Sequence, residues 1–186
     1  MTTAPIDVDP AALVDLIEKE AIREASLRYT RGIDRHDVEL MLAAYHPDAT
    51  DDHGLFIGSP ADFADYANGT HDQNWVSHQH YVTNQLIDRD GDLAHCESYF
   101  MAVLKREDGR CDMVGGRYVD RFAKRNGNWA VADRACLVEW HALVGPGEAG
   151  FDPSMFLQGA QDKSDISYSR PLKLNRPPRN PKAGTD

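Results

Sequence analysis

Apolar residues recur at every fourth position over residues 11–33, at Leu13, Ile17, Ala21, Ala25, Tyr29 and Ile33, with Glu18, Lys19, Glu20, Arg23, Glu24 and Arg28 between them. A four-residue repeat drifts around a 3.6-residue helix, so it predicts a helix with a broad buried stripe that takes in Ile22 and Ser26. Gly32 weakens the last turn, and Asp34 falls at or just past the helix end. Asp37 is placed to cap a second helix over residues 38–45, closed by His46-Pro47. Residues 48–57 read as a short extended segment with a turn at His53-Gly54. Ser59-Pro60 then supplies an N-cap and a first helical residue for a third helix. Its apolar members are Ala61, Phe63, Ala64, Tyr66 and Ala67, and it is expected to end near Asn68-Gly69.

From about Val76 the period changes. Asp90-Gly91, Asp108-Gly109 and Asn126-Gly127 separate segments rich in β-branched and aromatic residues. Such dipeptides favour tight hairpins, because a type I′ turn needs positive φ at both central residues. Three in succession predict four long antiparallel strands in a meander. Helices followed by a sheet give the α+β class, with the helices packed on one face of a curved, mainly antiparallel sheet. Gly115-Gly116, inside a strand, marks a bulge or a close approach. The expected organisation is a flexible lead over residues 1–10, one domain over 11–144 and an extension over 145–186. In the extension, Gly145-Pro146-Gly147 and Asp152-Pro153 break structure. Phe151, Met155, Phe156, Leu157 and Tyr168 could dock on an apolar surface, and the proline-rich 171–186 reads as an extended or disordered tail.

Composition narrows the partners. With 20 basic against 30 acidic residues, the formal charge is −10, which argues against nucleic acid or an anionic membrane as partner of the whole surface. No apolar run reaches membrane-spanning length, and residues 1–10 lack a secretory pattern, so a cytoplasmic location is expected. Cys96, Cys111 and Cys136 are odd in number and have no CxxC spacing, so they read as small core residues. Phosphate-cradling and nucleophile-elbow motifs are absent.

The chemistry gathers on residues 77–84. Alternation puts His78, His80, Val82, Asn84 and Leu86 on one strand face, a mixture of apolar and proton-carrying groups that suits a pocket wall. His80 reads either as a hydrogen-bonded sheet residue or as a general base held by a carboxylate. Asp34 could supply that carboxylate, or lie exposed beside Arg31 and Arg35. Arg134, between small residues of the last strand, points either outward to an acid or inward to an oxyanion. His53, His78 and His80 could together bind a metal, but no cupin-like glutamate follows the HxH pair, and no metal or cofactor is expected.

At these residues the chain resembles the SnoaL-like branch of the nuclear transport factor 2 superfamily. Arg28-Tyr29-Thr30-Arg31-Gly32-Ile33-Asp34 matches that branch's usual opening. His53-Gly54-x-Phe56-x-Gly58 resembles the loop after its first strand. His80-Tyr81-x-Thr83-Asn84 resembles the strand carrying the catalytic histidine of hexachlorocyclohexane dehydrochlorinase; scytalone dehydratase and bile-acid 7α-dehydratase are relatives. The resemblance covers roughly residues 11–140 and implies a cone-shaped α+β barrel. It implies that Asp34 orients His80, that His80 abstracts a proton, and that Arg134 assists a leaving group. Tyr29, and with it Tyr45, would hold substrate oxygen; His53, Asn84, Tyr118 and Trp140 would line the pocket. Asp165-x-Ser167-Tyr168-x-Arg170-Pro171 resembles a tail that covers the pocket or a subunit contact. The implied activity is a cofactor-independent lyase that removes water or formaldehyde from a hydrophobic cyclic or aromatic molecule such as a steroid, a polyketide or a lignin-derived compound. An isomerase, a cyclase or a non-catalytic binding module are the alternatives. A homo-oligomer, dimer or trimer, is implied as well.

Overall fold

In the computed structural model, which describes residues 9–147, 156–174, 176 and 177, helix α1 spans Pro10–Asp34. Asp9 caps it by accepting from the Ala11 amide, and Pro10 occupies the first turn, where a missing N–H costs nothing. Ile22, Ala25, Ser26, Tyr29, Thr30 and Ile33 are buried, but Leu13 and Ile17 are 46% and 60% exposed. The apolar stripe is thus covered only in its second half, where the sheet lies beneath it. Glu18 marks the transition, pairing with Lys124 at 2.6 Å and accepting from the Trp129 indole N–H.

Helix α2 is short, Val38–Leu42, capped by the Asp37 carboxylate on the Leu40 amide. It does not reach residue 45 as expected. The Ala44 carbonyl accepts from the Val131 amide at 2.9 Å, so the sheet captures the chain before another helical turn can form. Strand β1, Tyr45–Asp52, starts there and carries His46-Pro47 within it. Gly32 lets α1 and α2 meet closely, since a β-carbon there would lie 2.5 Å from the Met41 backbone nitrogen. After β2, Ile57–Gly58, helix α3 runs Pro60–Asn74 with Ser59 as its N-cap. It continues through Asn68-Gly69, where an end was expected. A glycine inside a helix costs about 1 kcal/mol relative to alanine, but burial of His71 and the bond from Asn74 Nδ2 to the Thr70 carbonyl hold the last turns. That extra turn brings His71 to the site described below.

Strands β3 (Ser77–Asp90), β4 (Leu93–Lys105), β5 (Cys111–Arg125) and β6 (Asn128–Val144) form the expected antiparallel meander. The full sheet has the order β2-β1-β6-β5-β4-β3, with β1 parallel to β6. Of the three turn signals, only Asn126-Gly127 has positive φ at both residues. At the first hairpin Gly91 alone, at φ 59°, follows Asp90. At the second, Gly109 at φ 83° closes a longer loop whose Arg106 carbonyl accepts from the Gly109 amide. The dipeptides therefore located the hairpins but fixed the turn type only once.

Two of the register shifts in the meander decide which of the expected pocket residues face the helices. The β3–β4 register shifts between Val82 and Gln85, and the β5–β6 register shifts between Gly115 and Gly116. His78, His80 and Val82 face inward before the first bulge. Beyond it the alternation is reversed: Gln85 and Ile87 turn inward, whereas Asn84 and Leu86 are exposed. At the second bulge Val138 pairs with Gly116 and Trp140 with Gly115, leaving Glu139 as the extra residue. Trp140 thus lies on the outer face, against Gly115, where a β-carbon would come 2.1 Å from its ring. An added residue in a period-two strand moves everything after it to the other face. The inward placements expected for Asn84, Leu86 and Trp140 are corrected accordingly.

The described part of the extension packs on the α1–α2 junction. Tyr168 donates to Asp37 at 2.7 Å, and its ring lies beneath the Arg31 guanidinium. Phe156 and Leu157 are more than half exposed, and Phe151, Met155 and residues 178–186 lie outside the described residues. Among the described residues no helix is long and apolar enough to cross a membrane.

Candidate active site

Asp34, the last residue of α1, aims its carboxylate at the start of β3. Its Oδ1 lies 2.7 Å from His80 Nδ1 and 3.2 Å from His78 Nδ1, and its Oδ2 accepts from the His80 amide at 3.0 Å. A carboxylate at a helix C-terminus faces an unfavourable dipole, and here three donors offset it. Burial pushes the Asp34 pKa up, but the hydrogen bonds from His78 and His80 outweigh it and hold the group at about 2. Asp34 is therefore ionised at neutral pH and can only accept, so Nδ1 of His80 is the donor in this bond.

A second histidine–carboxylate pair stands on β1 and the loop after it. Asp51, fully buried, bonds His53 Nδ1 with one oxygen and accepts from Tyr45 at 2.6 Å with the other. Tyr29 meets His53 Nε2 at 3.3 Å. Burial raises the Tyr29 pKa well above its ordinary value, so this hydroxyl stays protonated beside His53. The pair arises because residues 51 and 53 share a face at the end of β1, with Phe63 of α3 stacked on the imidazole at 4.1 Å.

Arg134 lies beneath this second pair. It points inward, as one reading of the strand held, but it is 3% exposed and does not reach the cavity. It forms a two-point pair with Asp120, both bonds 2.8 Å, and donates to the Tyr45 hydroxyl at 2.9 Å. The rings of Tyr29 and Tyr118 close over its guanidinium at 4.2 and 4.3 Å. Direct assistance to a leaving group is therefore not its geometry. Arg134 sets the position of Tyr45 and, through Tyr45 and Asp51, of His53.

Both pairs open on one cavity of about 190 Å³ between the sheet and α3. Tyr29, His53, His80 and Tyr118 line it as expected, among apolar neighbours such as Phe63, Phe100 and Val138. Asp34 stands behind His80, and Tyr45 behind Asp51. Asn84 and Trp140 are not part of its wall, for the reasons given above. Trp75 and His71 are, although the sequence did not single them out; the closeness of His71 to the His78–His80 pair along the chain was the available signal. Cys136 also lines the cavity, and burial pushes its thiol up to about 12, so it contributes bulk rather than a thiolate nucleophile. A wider groove of about 840 Å³ runs along residues 157–177, and neither pair lines it.

A model of the SnoaL-like domain matches residues 14–135, the helices and nearly all of the sheet. The chain belongs to the SnoaL-like family. Solved structures with the same fold include a putative scytalone dehydratase from Novosphingobium aromaticivorans, with 19% identity, 74% of this chain and 97% of that one covered and a TM-score of 0.62. A hexachlorocyclohexane dehydrochlorinase from Novosphingobium barchaimii is similar at 16% identity, with 76% and 99% covered and a TM-score of 0.66. A Mycobacterium tuberculosis protein of unknown function shares 25% identity over 70% of this chain and 76% of its own, with a TM-score of 0.63. Among curated protein sequences none matches. The SnoaL-like fold expected from the Asp34 and His80 motifs is thus the one observed, and distant relatives that share it include lyase-type enzymes.

Proposed function

We propose that this SnoaL-like protein is a cofactor-independent lyase that eliminates a small oxygen leaving group from a hydrophobic cyclic compound. The observation that carries the reading is the 2.7 Å contact between Asp34 and His80 at the wall of an apolar cavity that holds a second buried Asp–His pair. His80 Nε2 takes the proton from carbon, and Asp34 compensates the imidazolium charge that forms. The carbon–oxygen bond breaks, and the departing oxygen takes a proton from His53, whose protonated ring Asp51 is placed to hold. Proton exchange with solvent then restores both histidines. Released water and an alkene balance the step. Loss of formaldehyde would use the same base, acting on a hydroxyl proton.

Cavity size supports a small member of the substrate range. A volume of about 190 Å³ falls below the roughly 300 Å³ at the lower end of common ligand pockets. A single hydroxylated ring suits it better than a steroid or a diaryl compound. Two histidines on the wall of one cavity also suit a proton shift from one carbon to another, which makes an isomerase the second reading.

The test is incubation with a panel of hydroxylated cyclohexenes, dihydroaromatic alcohols and small aryl alcohols, followed by mass analysis of the products. Loss of the mass of water or formaldehyde, abolished in His80→Gln, supports the lyase. A product of unchanged mass supports the isomerase. Binding of panel members with no change in any of them, or turnover that survives His80→Gln, overturns the lyase.

A further inference from the structure

Four imidazoles crowd the side of Asp34 away from the second pair, and the proposed elimination uses only one of them. We propose that His36, His71 and His78 form a binding site for a divalent transition metal, zinc by its chemistry, distinct from the catalytic pair.

The geometry of the donor set carries this. One ring nitrogen from each of His36, His71 and His78 lies within 4.8 Å of the other two. Two of them, His36 Nε2 and His78 Nε2, are already 3.1 Å apart. Tetrahedral zinc with Zn–N bonds of about 2.0–2.1 Å separates its imidazole nitrogens by about 3.3 Å. His71 closes the remainder by a modest ring movement. The rings also come from three separate elements: the α1–α2 junction, α3 and β3. His36 takes φ 47°, in the left-handed region that few non-glycine residues adopt.

The second observation concerns what lies behind each ring. A metal-bound imidazole characteristically gives its other nitrogen to a carboxylate. His78 Nδ1 is backed by Asp34 at 3.2 Å, and His36 Nδ1 by Asp72 at 3.4 Å. In both, the Nε2 that turns to the cluster is the nitrogen left for a metal. His71 has no such partner. It is 8% exposed, and its Nδ1 is buried without a hydrogen bond. Buried polar atoms are almost always satisfied, so this one calls for an explanation. Nitrogen-only donors with carboxylates behind them favour zinc, cobalt or nickel over magnesium or calcium.

Asp34, His78 and His80 form an alternative trio that would place the metal at the catalytic pair itself. His36 and His71 separate the two cases, since they belong only to the proposed site. Their crowding is otherwise costly, because the three imidazoles share a single ring-nitrogen contact and leave one nitrogen unpaired.

The test uses the full chain, stripped with chelator and titrated with cobalt(II), whose visible absorption reports a tetrahedral site, and then with zinc in competition. One equivalent should bind. His36→Gln and His71→Gln should each weaken binding by roughly 100-fold or more, and Asp72→Asn by roughly 10-fold. His80→Gln should bind as the parent does. Absence of cobalt binding, undiminished binding in both His36→Gln and His71→Gln, or loss of binding in His80→Gln overturns the site. A measurement on the unsubstituted protein removes dependence on folding of the variants. Long-range 1H–15N spectra should show the side chains of His36, His71 and His78 shifting on zinc addition, with His53 unmoved; shifts at other histidines instead overturn it. Neither readout depends on a substrate, so failure of the lyase reading leaves this test intact.

Discussion

Asp34 holds His80 by two bonds, one from its Oδ1 to the ring Nδ1 at 2.7 Å and one from its Oδ2 to the residue's own amide at 3.0 Å. The second bond fixes the β3 backbone while the first fixes the ring, so the end of α1 and the start of β3 are held in one arrangement. The carboxylate acts on both the position and the charge of the imidazole.

That double hold makes Asp34 and His80 separable by experiment. With any compound the protein converts, His80→Gln should lower turnover by about 10²–10⁴-fold, the range of general-base contributions, with little change in thermal melting. Asp34→Asn keeps the amide contact through its side-chain oxygen but removes the charge. It should lower turnover comparably while leaving substrate affinity within a few fold. Equal loss of affinity and turnover in both variants would mean that the pair binds rather than catalyses.

Arg134 makes a different prediction, one of stability. Its guanidinium and the Asp120 carboxylate are both about 1% exposed at the side chain. Removing one member of a buried pair leaves the other charged and uncompensated, at a cost of about 3–5 kcal/mol. Arg134→Met should therefore show that loss in urea unfolding, and the double variant with Asp120→Asn should recover much of it. Additive losses in the double variant would show that the pair itself contributes little.

The bulge in β3 separates neighbours that the sequence could not. Asn84 is exposed, whereas Gln85 donates to Ser26 at 3.0 Å and to Ser98 at 2.9 Å. Asn84→Ala should leave turnover unchanged and shift stability by no more than about 0.5 kcal/mol. Gln85→Ala should cost about 1–3 kcal/mol, because two buried hydroxyls lose a partner. Chemical denaturation of the two variants side by side checks both values, and a sensitive Asn84 would place the bulge elsewhere.

Much of this arrangement was legible in local chemistry. Asp9, Asp37 and Ser59 mark helix starts by their caps, three glycine dipeptides mark hairpins, and Asp34 and His80 lie in motifs that resemble a known family. What stayed hidden depends on partners distant in sequence. Nothing near Asn84 announces a bulge, since register is set across the sheet by β4, and the bulge at Glu139 is signalled only from the facing strand, by Gly115-Gly116. Tyr45 carries helix-compatible neighbours and is drawn into β1 by the bond between Ala44 and Val131. His36 and His71 are 35 positions apart by their numbering. They meet only because α3 continues past Gly69 and the chain turns sharply after α1 ends at Asp34.

Asp112 gives the clearest pH dependence, and it bears on the pocket through Trp75. Its carboxylate takes two bonds from Arg106 at 2.7 and 2.9 Å, one from the Trp75 indole at 2.7 Å and one from His141 at 3.1 Å. The Arg106 bonds, above the opposing effect of burial and with the help of Trp75, hold its pKa far below the ordinary 3.8. A carboxylate whose folded pKa is depressed stabilises the fold fully above the ordinary value. That stabilisation is lost as pH falls from there through the lowered folded value, because the unfolded chain takes up the proton first. Unfolding free energy should therefore decline below pH 4, with Trp75 fluorescence changing in the same window. In Asp112→Asn the protein should be less stable at pH 7, and its decline below pH 4 should be shallower. An Asp112→Asn profile parallel to the parent's across that window would show that this carboxylate does not control the acid limb.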